Sequence, residues 1–323
     1  MHQDDGAEEG EHAVKFLKTT AVVMAELLKV LFSVFLFHFE TGGSIGNTLS
    51  LIYLEVFVEW KSTLKLAIPA LLYTLQNNTI FIALNNLPGL LYQISSQGKI
   101  FTTAIFSVIL LNRKLSTGQW CCLVLLALGV VAVQYRAPEE EGAAARTTTT
   151  PAPSIEEGDD GQNMFFGMVA VLVGVTCSGA AGTYFELVLK GTKSSLWIRN
   201  IQLGLMSAVI GTVGVYYHDG DQVATHGFLA GYNNVVWLTV TTHGVGGLLV
   251  AMVIKYADAI VKGFASAISS CLTGVVGVLF LGENVPGASF LLGGAMVLGS
   301  SYLYSNPSLM ETREVKAKLD TMP

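Results

Sequence analysis

Long apolar segments recur along the chain, and each has about the length that a helix needs to cross a lipid bilayer. Roughly 20 mostly apolar residues span the hydrocarbon core. We expect a transmembrane helix at each of nine segments, and the chain is therefore predicted to be an all-α polytopic membrane protein. The segments are, approximately, residues 19–39, 64–84, 88–111, 118–135, 164–189, 196–217, 232–254, 259–281 and 287–304.

The polar stretches between these segments alternate in charge along the chain. Loops rich in Lys and Arg face the cytosol in most membrane proteins. The nine-span arrangement puts the basic stretches on one face, which places the C-terminus in the cytosol and the N-terminus across the membrane. The basic stretches are 59–65, 112–114, 190–199, 255–262 and 311–318; those predicted on the opposite face are the acidic N-terminus, the turn NNLP, 136–163, 217–227 and the turn GENVP.

One stretch rich in Pro, Thr and acidic residues interrupts the membrane pattern at 136–163. Such a composition predicts disorder. We interpret it as a lumenal loop, either a plain flexible linker or an O-glycosylated Thr-Pro tract. It divides the chain into a first membrane half, 19–135, and a second, 164–305, flanked by an acidic N-terminal segment, 1–18, and a cytosolic tail, 306–323.

The ends of the two halves also resemble each other. Residues 111–133 and 281–303 align without a gap, and each contains a helix end, a short polar turn and a glycine-containing helix. In the predicted topology the two turns face opposite sides of the membrane. Opposed halves of this kind are typical of inverted-repeat transporters, whose site lies at the midplane of the membrane.

Composition agrees with the membrane prediction and argues against several kinds of function. The chain is 51% hydrophobic and only 13% charged, whereas soluble domains carry roughly 25% charged residues. Its four cysteines and six histidines lack metal-ligand spacing, so we expect no metal site and no cofactor. No phosphate-binding loop, nucleophile motif or carboxylate cluster is present in the sequence, so we expect neither an enzyme nor a nucleic-acid partner. The alternative is an intramembrane transferase, which would need acidic metal ligands, and the predicted spans contain few acids.

A lysine near the middle of the third segment is the strongest candidate for function. A charge at the centre of a bilayer costs at least about 2.5–3.5 kcal/mol, so it usually faces a cavity or a partner. Tyr92, Ser96, Lys99 and Thr103 recur at helical spacing and share one face. A cation with hydroxyls and an aromatic ring suits a phosphate and a base. The alternative is a lysine that pairs with a buried acid for packing alone.

Other polar residues lie within predicted spans and are weaker candidates for a binding site. Amides at this depth must find partners, and helix–helix contacts are the alternative use. Arg199 is expected to anchor at the membrane surface, and Glu26 is expected to pair with Lys29 for structure. The further candidates are Tyr73, Gln76, Asn77, Asn78, Tyr184, Asn200, Gln202, Lys255, Lys262, Ser266 and Ser269, with surface anchoring as the alternative for the two lysines.

Several long motifs, spread from about residue 18 to 305, resemble those of the Golgi nucleotide-sugar transporters. They include LKLAIPALLYTLQNN, YQISSQGKIFTTAIFSV, RKLSTGQW, YFELVLKGTKSSLWIRNIQLG and IKYADAIVKGFASAISS. The nearest branch is that of the CMP-sialic acid, UDP-galactose and UDP-N-acetylglucosamine transporters. The resemblance implies a drug/metabolite-transporter fold of ten helices in two inverted five-helix halves. Our chain aligns from the start of the family's second helix, so we expect the first helix to be missing.

The resemblance also implies a function and a site. It implies antiport, in which a nucleotide sugar enters the lumen while a nucleoside monophosphate leaves. Lys99 with Tyr92 would engage the phosphates from one half, and Lys255 and Lys262 from the other. The LQNN and RNIQ motifs would line the nucleotide and sugar region. The family's usual YQVTYQLK reads YQISSQGK in this chain, so the choice of sugar is left open.

Location and partners follow from the same resemblance. We expect a multi-pass protein of the Golgi membrane, with the ER membrane as the alternative. The expected partners are a nucleotide sugar, a nucleoside monophosphate and the lipid bilayer; a homodimer and a complex with glycosyltransferases stay open. The competing functions are a transport-inactive scaffold for glycosyltransferases and an exporter of another organic metabolite.

Overall fold

The computed structural model describes residues 16–134, 163–281 and 287–306, and all regular secondary structure in those ranges is helical. The predicted acidic segment 1–18, the predicted disordered loop 136–163, the turn GENVP and the tail 306–323 fall almost entirely outside the described residues. The helices are α1 (Lys18–Glu40), α2 (Ile45–Ile52), a π-helical segment (Tyr53–Val58), α3 (Trp60–Lys65), α4 (Ala67–Asn86), α5 (Gly89–Ser96), α6 (Gly98–Leu111), α7 (Thr117–Gln134), α8 (Met164–Lys190), α9 (Leu196–His226), α10 (Asn234–Tyr256), α11 (Ala259–Leu281) and α12 (Ala288–Ser305).

Eight helical stretches in the described residues are long and apolar enough to cross a membrane, by length and composition. They correspond to eight of the nine predicted segments, which confirms an all-α polytopic membrane fold. The ninth segment, 287–304, forms α12 but is not among the eight, so the count of nine is not reproduced. Gly, Ser and Tyr make up much of α12 and lower the mean hydropathy of this helix.

The stretch between the first two predicted spans, for which no element was predicted from the sequence, is helical. Ile45–Val58 forms a shorter apolar helix that includes the π-helical segment, and α3 follows it directly. Its run of Leu, Ile, Tyr and Val residues is too short to meet the length of a span.

The turn at Pro88 is confirmed, since Pro88 is the N-cap of α5. The third predicted span changes helix at Gln97, between α5 and α6.

Within the described ranges the chain forms two compact units, and each draws on both predicted membrane halves. Unit 1 contains residues up to 70 and 194–249, and unit 2 contains 71–193 and residues from 250 onward. In unit 1, α1 packs along α9, and Phe37, Ile198 and Ile201 are buried together there. In unit 2, α7 packs along α12 and α6 along α8. The predicted inverted repeat stays a prediction.

Glycines let the helices of unit 2 approach closely. A Cβ placed on Gly293 of α12 would lie 2.6 Å from the carbonyl oxygen of Gly129 of α7 and 2.6 Å from the backbone nitrogen of Val133. Small residues at such contacts are typical of packed transmembrane helices. The α7–α12 pair is therefore in direct backbone contact at this point.

Large apolar side chains cover much of the surface of both units. Phe165 is 79% exposed and Phe280 is 80% exposed. In a water-soluble protein, exposed apolar patches this extensive are rare. Together with the eight long apolar helices, they are what a surface in contact with lipid requires.

Candidate functional site

A polar cavity of about 110 Å³ lies in unit 2. It is bounded by α4, the α5–α6 segment and α8, and its walls combine apolar residues with one cation and several hydroxyl and amide groups. The polar residues that line it are Gln76, Thr79, Tyr92, Ser96, Lys99 and Ser178. Four of these six were candidates from the sequence, so the structure brings Gln76, Tyr92, Ser96 and Lys99 together.

Among the described residues that line this cavity, Lys99 is the single cation, and this residue is exposed. The alternative use of this lysine requires a buried acid as its partner. The ion pairs found among the described residues join other groups and do not include Lys99. An ammonium within an apolar span that has no carboxylate beside it favours an anion from outside the protein.

A second lysine adds positive charge to the same unit. Lys262 lies in the first turns of α11, a helix that packs against the helix α6 of Lys99. Like charges in a medium of low polarity raise the energy of the empty site. An anion that binds near both would lower it. The helices α6 and α11 that carry them are in contact within unit 2.

Neutral polar groups of the cavity can orient a ligand. The Gln76 side-chain oxygen is buried and has no hydrogen-bond partner among the described residues, so it can accept from a ligand N–H or O–H group. The Ser96 hydroxyl also lines the cavity and donates to the carbonyl of Gln93 at 2.8 Å, so its oxygen can still accept a hydrogen bond. A buried acceptor without a hydrogen bond lowers the stability of a protein by roughly 1–3 kcal/mol. Binding of a ligand that donates a hydrogen bond to this oxygen is therefore favoured.

Two lining residues were missed by the sequence reasoning. Thr79 and Ser178 look unremarkable within apolar spans, and only the approach of α4 to α8 brings them to one cavity. That approach depends on Gly174 of α8, where a Cβ would lie 2.8 Å from the Thr79 hydroxyl. The signal available in the sequence is the spacing of small residues on α8, at 174, 178 and 182.

The remaining candidates of unit 2 do not line the cavity. The Thr103 hydroxyl donates to the carbonyl of Lys99 at 2.7 Å, and the Asn78 amide donates to the carbonyl of Thr74 at 3.0 Å, both within their own helices. The Lys255 ammonium lies 5.8 Å from the centre of the Tyr256 ring. Of the others, Tyr73 and Tyr184 are half-buried, and Asn77, Ser266 and Ser269 are exposed. Their predicted roles in binding stay predictions.

The candidates of unit 1 are buried around an arginine. Gln202 donates to the carbonyl of Glu55 at 2.8 Å and accepts from the Arg199 guanidinium at 2.7 Å. Asn200 donates to the carbonyl of Leu196 at 3.0 Å. Arg199 itself is only 3% exposed and also donates to the hydroxyls of Ser62 and Ser194. The prediction that Arg199 anchors at the membrane surface is therefore wrong, because these partners hold it inside unit 1.

The pair of Glu26 and Lys29 on α1 is confirmed. The two side chains form an ion pair one helical turn apart, and Lys29 is 7% exposed. Glycines of the neighbouring helices make room for the lysine stem, since a Cβ on Gly247 would lie 3.1 Å from its Cδ atom. The pair thus needs small residues on α10 beside it.

Exchanging Arg199 for lysine is expected to lower the free energy of unfolding by roughly 2 kcal/mol. Lysine keeps the charge but loses the planar fork that reaches Ser62, Ser194 and Gln202 at once. Thermal unfolding in detergent measures the effect. The control is the reverse exchange, Lys61→Arg, at an exposed position of α3, and equal unfolding temperatures for both variants would contradict the prediction.

Comparison with known proteins identifies the family. The family model described as Nucleotide-sugar transporter matches residues 7–305. The chain belongs to the nucleotide-sugar transporter family. This confirms the resemblance seen in the sequence motifs, and it makes the chain a multi-pass membrane protein of a transporter family.

Relatives of this nucleotide-sugar transporter are similar over most of their length. The UDP-N-acetylglucosamine transporter of Rattus norvegicus is 41% identical over 294 residues, which cover 91% of this chain and 86% of that protein. The UDP-galactose translocator of Homo sapiens is 44% identical over 293 residues, which cover 91% of this chain and 70% of that protein. A solved crystal structure, 12% identical, aligns with a TM-score of 0.60 over 89% of this chain and 87% of its own, and it shares the fold.

Proposed function

We propose that this nucleotide-sugar transporter exchanges a cytosolic UDP-sugar, UDP-N-acetylglucosamine or UDP-galactose, for lumenal UMP. The observation that carries the proposal is Lys99, a cation without a carboxylate partner among the described ion pairs, in a polar cavity of unit 2. The names of the relatives, a UDP-N-acetylglucosamine transporter and a UDP-galactose translocator, favour uridine over cytidine. The Golgi membrane is the proposed location.

The chemistry of the cavity suits the part of the ligand that the two substrates share. The phosphate meets Lys99, and Lys262 contributes its charge from the neighbouring helix α11. Tyr92 offers a ring and a hydroxyl, and Gln76 offers an acceptor that has no partner among the described residues. A UDP-sugar and UMP carry the same uridine and at least one phosphate, so both use these groups. Recognition of the shared part is what an exchanger needs.

Exchange follows from the charge of the site. Without an anion, the repulsion between Lys99 and Lys262 raises the energy of any state that closes around them. A bound phosphate removes that cost. The transporter with a bound nucleotide therefore switches between its cytosol-facing and lumen-facing states more readily than the empty transporter does. Movement of a UDP-sugar into the lumen is thereby coupled to movement of UMP out of it.

Uptake into liposomes tests the proposal. Liposomes that contain the purified chain are loaded with UMP or left empty, and uptake of radiolabelled UDP-N-acetylglucosamine, UDP-galactose and CMP-sialic acid is measured. We expect uptake of a UDP-sugar that is several-fold faster with internal UMP. Equal uptake with and without internal UMP would overturn exchange. Uptake of CMP-sialic acid alone would overturn the choice of uridine, and the absence of uptake of all three nucleotide sugars would overturn transport.

A further inference from the structure

A group of ion-paired side chains in unit 2 holds the chain where α10 gives way to α11. We call it the Glu186 cluster, and it consists of Arg113, Glu186, Lys190 and Asp258. Glu186, in the last turns of α8, has 0% of its side chain exposed. One of its oxygens accepts from the Arg113 guanidinium at 2.5 Å and from the Lys190 ammonium at 2.8 Å. The other accepts from the backbone N–H of Ala259 at 2.9 Å.

The same cluster holds the residues on either side of Ala259. Asp258 lies 2.9 Å from the second guanidinium nitrogen of Arg113. Its other oxygen caps α11 by accepting from the backbone N–H of Val261 at 2.7 Å. The Lys190 ammonium also donates to the carbonyl of Ala257 at 2.5 Å. Residues 257–261 are thus held by side chains from α8 and from the segment after α6, as well as by their own cap.

Lys262 follows this segment directly. Its backbone N–H donates to the carbonyl of Asp258 at 3.1 Å, so the cluster fixes the point from which the lysine side chain extends. The cluster contains two carboxylates and two cations, and its charges balance. The Glu186 cluster can therefore hold the start of α11, and with it Lys262, without adding net charge near Lys262 and Lys99.

We propose that Glu186 is a positioning residue for Lys262 and, through it, for the phosphate of the nucleotide. This inference rests on the proposed function, because it takes Lys262 as a phosphate ligand. Glu186 touches no substrate. It keeps the start of α11 in place through the Ala259 N–H, so that Lys262 meets an incoming phosphate from a fixed point of attachment. Preorganisation of this kind raises affinity by lowering the cost of ordering the site.

The test compares UMP with uridine, which lacks the phosphate. The affinities of the purified full chain for both are measured by titration, in the wild type and in Glu186→Gln. The amide has nearly the same shape but loses the charge that binds Arg113 and Lys190. We expect UMP to bind about tenfold more weakly in the variant, with uridine affected less than about twofold. Equal losses for both ligands, or no loss for UMP, would overturn the inference.

A double-mutant cycle gives a second measurement, independent of uridine. If Glu186 acts through Lys262, then Glu186→Gln costs little further UMP affinity in a Lys262→Ala background. Additive losses would overturn the proposal. The matched control is Glu40→Gln, which removes a carboxylate that accepts from Ser195 in unit 1 and is expected to leave UMP affinity unchanged.

A milder variant covers the case in which Glu186→Gln does not fold. Asp258→Asn keeps an acceptor for the cap of α11 but loses the ion pair with Arg113, and the same selective loss of UMP affinity is expected. The outcomes also separate this inference from the proposed function. If the wild type binds UMP and the variant binds it with the same affinity, only the positioning role is overturned. A wild type that binds no UMP overturns the proposed function, and the positioning role falls with it.

Discussion

Lys99→Ala is expected to weaken UMP binding by at least about 30-fold and to abolish exchange at micromolar nucleotide. Removing one partner of a fully buried charge pair typically costs about 2–5 kcal/mol, and the lower end, about 2 kcal/mol, applies to the exposed Lys99 and corresponds to that factor. The described ion pairs give Lys99 no carboxylate, so its charge is available to the phosphate. Titration of the purified protein with UMP measures the loss.

The matched control for this variant is Lys61→Ala, which removes an exposed lysine of α3. It changes the net charge equally but belongs to unit 1 and is not among the residues that line the cavity. Affinity for UMP should then stay within about twofold of the wild type. If Lys99→Ala bound UMP as tightly as Lys61→Ala does, the phosphate would have to be bound elsewhere.

Gly293→Ala is expected to prevent α7 and α12 from packing and to lower the yield of folded protein severely. The new Cβ would lie 2.6 Å from backbone atoms of both Gly129 and Val133. Backbone atoms in a helix cannot rotate away as a side chain can, so the two helices must separate. Overpacking of this kind costs typically 1–3 kcal/mol and occasionally more. Size-exclusion profiles and thermal unfolding in detergent measure the effect.

The neighbouring glycine provides the control for this prediction. A Cβ on Gly294 would meet nothing within 4 Å, and alanine is favoured over glycine in a helix by about 1 kcal/mol. Gly294→Ala should therefore be neutral or slightly stabilising. A stable Gly293→Ala variant, or equal losses in both, would show that the close contact of α7 and α12 does not govern the stability of unit 2.

Features that depend on the average character of a long segment could be predicted from the sequence. The apolar length of a span is such a feature, and eight of the predicted spans are present for that reason. The family could be predicted because its motifs are long and ordered. Lys99 could be singled out because a central charge in an apolar segment is costly wherever the helices lie. Ile45–Val58 was missed because its apolar run is shorter than a span.

Features that depend on distant parts of the chain could not be predicted. Arg199 looked like a surface anchor because its hydroxyl partner Ser62 lies far away in sequence. Thr79 and Ser178 share a cavity only because α4 approaches α8. The bonds from Glu186 to Arg113 and to Ala259 likewise join residues far apart in the chain. No local sequence pattern predicts which helices will pack against each other.

The pairing of α7 with α12 has a consequence for biosynthesis. Well over a hundred residues separate the end of α7 from the start of α12, so the ribosome completes the first long before it begins the second. Until then the glycine face of α7 must be covered by lipid or by another protein of the inserting membrane. A chain terminated anywhere before α12 therefore loses more than its last helix, since α7 is left in the bilayer without the surface against which it packs.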